Sequence, residues 1–260
     1  MQKSRIEWCD STWNPVTGCR HGCEYCYARR IAARFGGHTD VLYASEHPEE
    51  YKGAQIHVLD GPLVNGDSKA HYPFGFEPTL LRYKLDEPQH RRDAQTIFVC
   101  SMADLFGKWV PTSWIRDVLD ACQKAPQHRY IFLTKNPARY LELDKMALLP
   151  HGDNFWYGST ATNPETDLMA WAEDYHTFVS IEPLLGPFGR PQPGALHDID
   201  WFIIGAETGN RKGKVTPERG WVQEIVDYCS ASGKPVLMKD SLIPVVGEEN
   251  MRRELPWVLF

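Results

Sequence analysis

From residue 97 onward, short unbroken apolar runs alternate with stretches that carry apolar residues at helical spacing. The runs are Ile97–Cys100, Tyr130–Leu133, Phe155–Tyr157, Phe178–Ile181, Trp201–Ile204 and Val236–Met238. Each is rich in β-branched or aromatic side chains, the pattern of strands buried on both faces. Between them, Asn136-Pro137, Asn163-Pro164 and Thr216-Pro217 each place a capping side chain ahead of a proline at a first helical position. The helix predicted from Pro164 is apolar at Leu168, Trp171, Ala172 and Tyr175. The one from Pro217 is apolar at Val222, Ile225, Val226 and Cys229, with Gly233 as its stop. A third, near Ser113, is apolar at Ile115, Val118, Leu119 and Cys122. All three show the stripe of a helix packed on one face.

Such alternation predicts βαβ units and a parallel sheet. Two earlier strands are expected, at Trp13–Val16 and Thr79–Tyr83, bringing the total to about eight. The expected fold is therefore an α/β parallel barrel, partial with six strands or full with eight. Residues 38–75 break the rhythm, with Gly, Pro, His and Asp in no period, and read as an insertion or lid within a single domain spanning 1–260.

Composition adds limits. The hydrophobic fraction of 42% in 260 residues supports a sizeable core. No apolar run approaches the roughly 18 residues of a membrane span. "MQKSRIEWCD" lacks the apolar centre of a signal peptide, so a cytoplasmic protein is expected. The net charge of −6 argues against a protein that coats a nucleic-acid backbone. It leaves room for local basic clusters at Arg29, Arg30 and Arg34 and at Arg82, Lys84, Arg91 and Arg92, each of which also reads as a solvated face.

The densest chemistry lies in "TGCRHGCEYCYARR", where Cys19, Cys23 and Cys26 have the spacing C-x3-C-x2-C. The loop follows the first predicted strand and precedes a helix with the stripe Ala28, Ile31, Ala32 and Phe35, ended by Gly36-Gly37. That is a first βα connection, on the face where barrels build active sites. Three thiolates can hold three irons of a cubane iron–sulfur cluster and leave the fourth iron open to another ligand. A Cys3His zinc site completed by His21 or His38 is the alternative, as are thiols without a metal. Cys100, Cys122 and Cys229 fall on strand and helix stripes and read as core. Cys9 is the one further candidate ligand.

The C-x3-C-x2-C spacing, with Tyr25 before the last cysteine, resembles the cluster loop of the radical S-adenosylmethionine (SAM) superfamily. "IEWCDSTWNPVTGC", "IFVCSMADLFG", "LTKNP", "SIEPLLGP", "WFIIGAETG" and "VLMKD" together resemble a phage- and prophage-associated three-cysteine family of unassigned function. The resemblance runs from Ile6 to Asp240. It implies a radical SAM-type (β/α) barrel, a [4Fe-4S] cluster on the three cysteines and SAM as second cofactor. It further implies reductive cleavage of SAM to a 5′-deoxyadenosyl radical that abstracts hydrogen from an organic substrate. A flavodoxin or ferredoxin would supply the electron. A phage association points to a nucleobase or an amino-acid-modified nucleotide in DNA or RNA modification. One departure stands out: where many members carry Gly-Gly-Glu after the second strand, this chain has "RYKLDEP", with Asp86 and Glu87 as substitutes. That keeps 3-amino-3-carboxypropyl transfer open, and a non-catalytic zinc or iron–sulfur binding protein is the third reading.

Polar residues at the ends of the predicted strands complete the candidate site. Tyr25 is expected beside the adenine, since the superfamily uses the backbone there. Asn14, Ser101, Asp104, Thr134, Lys135 and Ser159 are expected to serve the cofactor's ribose and methionine groups. Glu182, Glu207 and Lys239, from later strands, are expected to face the substrate, with a general acid or base among them. The loop "GAETGNRKGK" has the glycines and cations of a phosphate cradle without a Walker or Rossmann spacing, and reads equally as a surface loop.

Overall fold

The computed structural model describes residues 1–36, 49–51, 54–65, 68–164, 174–188 and 198–258. The chain is a mixed α/β protein with an open, mostly parallel sheet of eight strands, and it divides into two compact units. Among the described residues no pairing closes that sheet into a barrel.

The first unit holds residues 1–132 and 139–150. β1 (Gln2–Lys3) runs antiparallel to β2 (Ser11–Trp13). The strand expected at Trp13–Val16 is broken at Asn14-Pro15, and the chain re-emerges as β3 (Val16–Thr17) in a second sheet. Proline offers no ladder N–H, which favours a strand end there. The Asn14 side-chain oxygen instead accepts bonds from the Met102 N–H at 2.9 Å and the Ser101 hydroxyl at 3.2 Å. After the cysteine loop comes α1 (Tyr27–Phe35). The second sheet then gains β4 (Glu49–Tyr51) and β5 (Ala54–Leu59), followed by the hairpin of β6 (Val64–Asn65) and β7 (Ser68–Lys69), and by β8 (Thr79–Leu81). Its order is β3-β8-β5-β4.

β8 corrects the expectation for Thr79–Tyr83. It pairs with β3 and β5 rather than in the main sheet, and it gives way to 3-10 turns from Arg82. A short apolar run carries no record of which sheet it joins. The main sheet of this unit continues with β9 (Thr96–Val99), parallel to β2. Next come α2 (Thr112–Gln123), β10 (Arg129–Thr134), parallel to β9, and α3 (Ala138–Lys145). α2 buries Ile115, Val118, Leu119 and Cys122, the predicted stripe. They join Trp13, Ile97, Val99, Tyr130 and Phe132 in the buried interior.

The second unit holds residues 133–138 and 151–260. β11 (Phe155–Thr160), β12 (His176–Ile181), β13 (Trp201–Ile204) and β14 (Val236–Met238) are parallel neighbours in that order. All but the first residue of β12 are buried, as their continuous apolar character requires. α4 (Arg219–Ala231) turns Val222, Ile225 and Cys229 inward, and Gly233 follows its end with φ +65°. A last short helix, α5 (Ile243–Val246), adds Val246 to the same core. The helix predicted from Pro164 lies largely outside the described residues, as does much of the insertion at 38–75. No described helix is long and apolar enough to cross a membrane.

Candidate functional site

The cysteine loop leaves β3 through Gly18, whose φ of +88° suits glycine alone. A Cβ at Gly18 would overlap the Glu77 carbonyl oxygen. The loop is braced from two directions. On one, the Gly18 N–H donates to the Met102 carbonyl at 2.9 Å, and Gly18 bridges to Ala103. On the other, the Cys19 N–H donates to the Phe76 carbonyl at 3.2 Å, Arg20 pairs with Glu77, and the Arg29 guanidinium lies 5.1 Å from the Phe76 ring centre. Arg29 also donates to the Cys19 carbonyl at 3.1 Å. Cys26 is the N-cap of α1, its sulfur accepting from the Arg29 N–H at 3.3 Å. The first turn of that helix has no acidic side chain, so the Cys26 sulfur is its side-chain cap.

All three thiols are free and partly exposed. Burial pushes the Cys19 thiol up to about 12, and the charges of Asp104, Cys26 and Cys23 push the same way. A bound cation reverses that logic by making deprotonation favourable. Among the described residues no group of three or more His, Cys, Asp or Glu side chains is arranged to hold a single ion. A cubane cluster places each thiolate on a different iron and does not ask for that convergence. A donor set of three thiolates therefore fits such a cluster. For the zinc alternative, His21 Nε2 lies 2.7 Å from Asp104 Oδ2, so its Nδ1 is the nitrogen that could join the thiols, with Asp104 orienting the ring. His38 is outside the described residues.

Asp104 is buried, and its other oxygen accepts the Phe106 N–H at 3.1 Å. Through His21 it ties the cysteine loop to the segment after β9. The His21 ring also meets Trp109 edge-on at 4.8 Å. This clasp, and the bracing segment around Phe76, were not legible beforehand; the one signal was a histidine set between two cysteines. Asn14 and Ser101 are joined by their own hydrogen bond, and the Ser101 carbonyl accepts from the Tyr27 hydroxyl at 2.6 Å. Tyr25 is half-buried on the loop. The Asp86 and Glu87 substitutes sit on 3-10 turns after β8. Glu87 pairs with the N-terminal ammonium, and Asp86 lies 3.9 Å from His90.

In the second unit, Thr134 is buried and its hydroxyl accepts the Asn136 N–H at 2.9 Å, with Lys135 half-buried between them. Ser159 is fully buried in β11. Glu182 and Lys239 meet beyond the ends of β12 and β14, Nζ to Oε1 at 2.7 Å. Gly205, after β13, makes room for them: a Cβ there would stand 3.0 Å from the Glu182 carboxyl carbon. Glu207 is buried and gripped by Arg211, Nε to Oε1 at 2.7 Å and the second guanidinium nitrogen to Oε2 at 2.8 Å. That hydrogen bonding holds its carboxyl below the usual range. Arg211 also reaches the Gly213 carbonyl at 3.2 Å, so one of the three cations of "GAETGNRKGK" is used inside the loop. Cys100, Cys122 and Cys229 are buried core thiols pushed up by burial, as expected, and Cys9 donates to the Ser4 hydroxyl at 3.2 Å.

A mixed α/β scaffold with a three-cysteine loop at the head of its first long helix defines the class. The chain belongs to the DUF5131 family, described as a protein of unknown function, whose model matches residues 3–242. No curated protein and no solved structure matches it.

Proposed function

We propose that this protein is a radical SAM enzyme, with its parallel strands forming a barrel of that superfamily and the protein working in the cytoplasm. The observation that carries the reading is the braced loop with three free, partly exposed thiols, Cys19, Cys23 and Cys26. These cysteines would hold a [4Fe-4S] cluster with SAM as its further ligand. When bound, the pair supplies one-electron cleavage of the sulfonium and hydrogen abstraction from an organic substrate. Gly18, His21–Asp104 and the Phe76 carbonyl keep the loop in shape for that group. Asn14, Ser101 and Tyr25 lie beside the loop to position the cofactor.

Within the second unit, Lys239 and Glu182 are the proton-handling pair. The 2.7 Å contact lets Nζ hold a proton against Oε1. Glu207, fixed by Arg211, stays ionised and orients its loop. The substrate class we favour is a nucleobase or an amino-acid-modified nucleotide, in modification of phage DNA or RNA. A flavodoxin or ferredoxin would be the electron donor.

The test is anaerobic reconstitution with iron and sulfide, followed by SAM and dithionite and identification of the nucleoside product. 5′-Deoxyadenosine, lost together with the brown colour in Cys23→Ala, is the expected result. Retention of cleavage in Cys23→Ala would sink the proposal. Methylthioadenosine would instead move the chain to 3-amino-3-carboxypropyl transfer. That reading draws on the "RYKLDEP" that stands where many members of the superfamily carry Gly-Gly-Glu. One zinc with no iron would leave a binding protein.

A further inference from the structure

The helix that begins at Cys26 does not bury the stripe its spacing predicts. Ala28 and Ala32 are buried, but Ile31 is 37% exposed and Phe35 57%, with Tyr27 at 44% on the turn before. Tyr27, Ile31 and Phe35 are spaced four apart and so share one face. Arg30 and Arg34 stand on the same face, both exposed. The Arg34 guanidinium lies 5.3 Å from the Phe35 ring centre, and Arg30 makes no ion pair among the described residues. An apolar centre of aromatic and aliphatic side chains with an arginine rim is the anatomy of a protein interface. The chain as a whole is net acidic, at −6, so the cationic rim is local and asks for an acidic partner. Its small size suits a transient encounter rather than a permanent complex. Two arginines are too few for the phosphate contacts on which nucleic-acid affinity rests.

We propose that this face of α1 docks an acidic one-electron donor protein, which delivers its electron to the group held by the adjoining cysteines. The assignment rests on the cluster reading of the loop. The transfer is one electron out of the reduced donor and one into the cysteine-bound group, with no bond made or broken. Placement is the physical reason: Cys26 is the cap residue of the same helix, so a partner on this face sits beside the loop.

The experiment titrates the purified protein with an acidic bacterial flavodoxin and, separately, an acidic bacterial ferredoxin, at low and at high salt. Binding is expected to weaken with salt and to fall about tenfold or more in Arg30→Glu/Arg34→Glu. Phe35→Ala should weaken it about fivefold with the charges intact. Reduction by dithionite should be unchanged in both variants, which also shows that they fold. Absence of binding to either donor, or binding equal in wild type and variants, overturns the proposal. So does binding of a single-stranded oligonucleotide in place of the donors. If Arg30→Glu/Arg34→Glu does not fold, Phe35→Ala alone decides. A chain that takes up no iron and sulfide defeats the enzyme reading, while the titration still reports on the surface.

Discussion

Glu207 is nearly sealed from water, and two nitrogens of Arg211 hold it. Its folded pKa lies below the ordinary 4.5, chiefly through those hydrogen bonds. In the range just below 4.5 the unfolded chain binds the proton more readily than the folded one. The resulting stability is thus complete above 4.5 and is lost as pH falls through the folded value. Glu207→Gln should cost about 2 kcal/mol at neutral pH, and the gap should close in acid. Urea unfolding of both proteins at several pH values checks this; a gap that widens in acid would contradict it. Residue chemistry of this kind was half legible. "GAETG" marked Glu207 as a strand-end carboxylate, but nothing in the spacing paired it with Arg211. The cysteines were legible because three thiols in one short loop constrain each other. The His21–Asp104 clasp was not, since its members lie 83 residues apart and meet only through folding.

Elements were the most legible scale, because an apolar run or stripe must be buried somewhere. β9 to β14 and α2 appear where the pattern placed them, within a residue or three at the ends. Partners were less legible. β8 has the apolar character of a main-sheet strand yet joins the second sheet. α1 has a predicted core stripe of which only the alanines are covered. Packing within a strand pair can be tested directly. Gly158 stands opposite Phe178 in the β11–β12 register, and a Cβ at Gly158 would overlap the Phe178 ring. Gly158→Ala should cost about 2 kcal/mol by overpacking, and Phe178→Ala about 3–5 kcal/mol by cavity formation. Combined, the glycine change should add about 1 kcal/mol or less, because the space it needs has been vacated. Additive losses in a double-mutant cycle would show that the two do not share this space.

For the whole molecule, a bound group on the cysteine loop should be felt well beyond the three ligands. The loop is tied to Met102 and Ala103 in one direction and to Phe76 and Glu77 in the other. Binding to the native state alone stabilises it by mass action. Loading iron and sulfide should therefore raise amide protection about tenfold or more across residues 17–29, 74–79 and 100–107, and Cys23→Ala should abolish the gain. Hydrogen exchange read by mass spectrometry measures this, and protection confined to the cysteines' immediate neighbours would rule out the bracing.

The sequence alone determined the alternation of strands and helices, the parallel character of the main sheet and the place where three thiols gather. Each follows from local periodicity or spacing, which short-range covalent geometry converts into structure. Only the tertiary structure decided that β8 leaves the main sheet, that Asp104 serves His21, that Lys239 meets Glu182, and that α1 keeps an apolar face uncovered. Those outcomes depend on which distant segments meet, and contact between distant segments is set by packing of the whole chain rather than by any window along it.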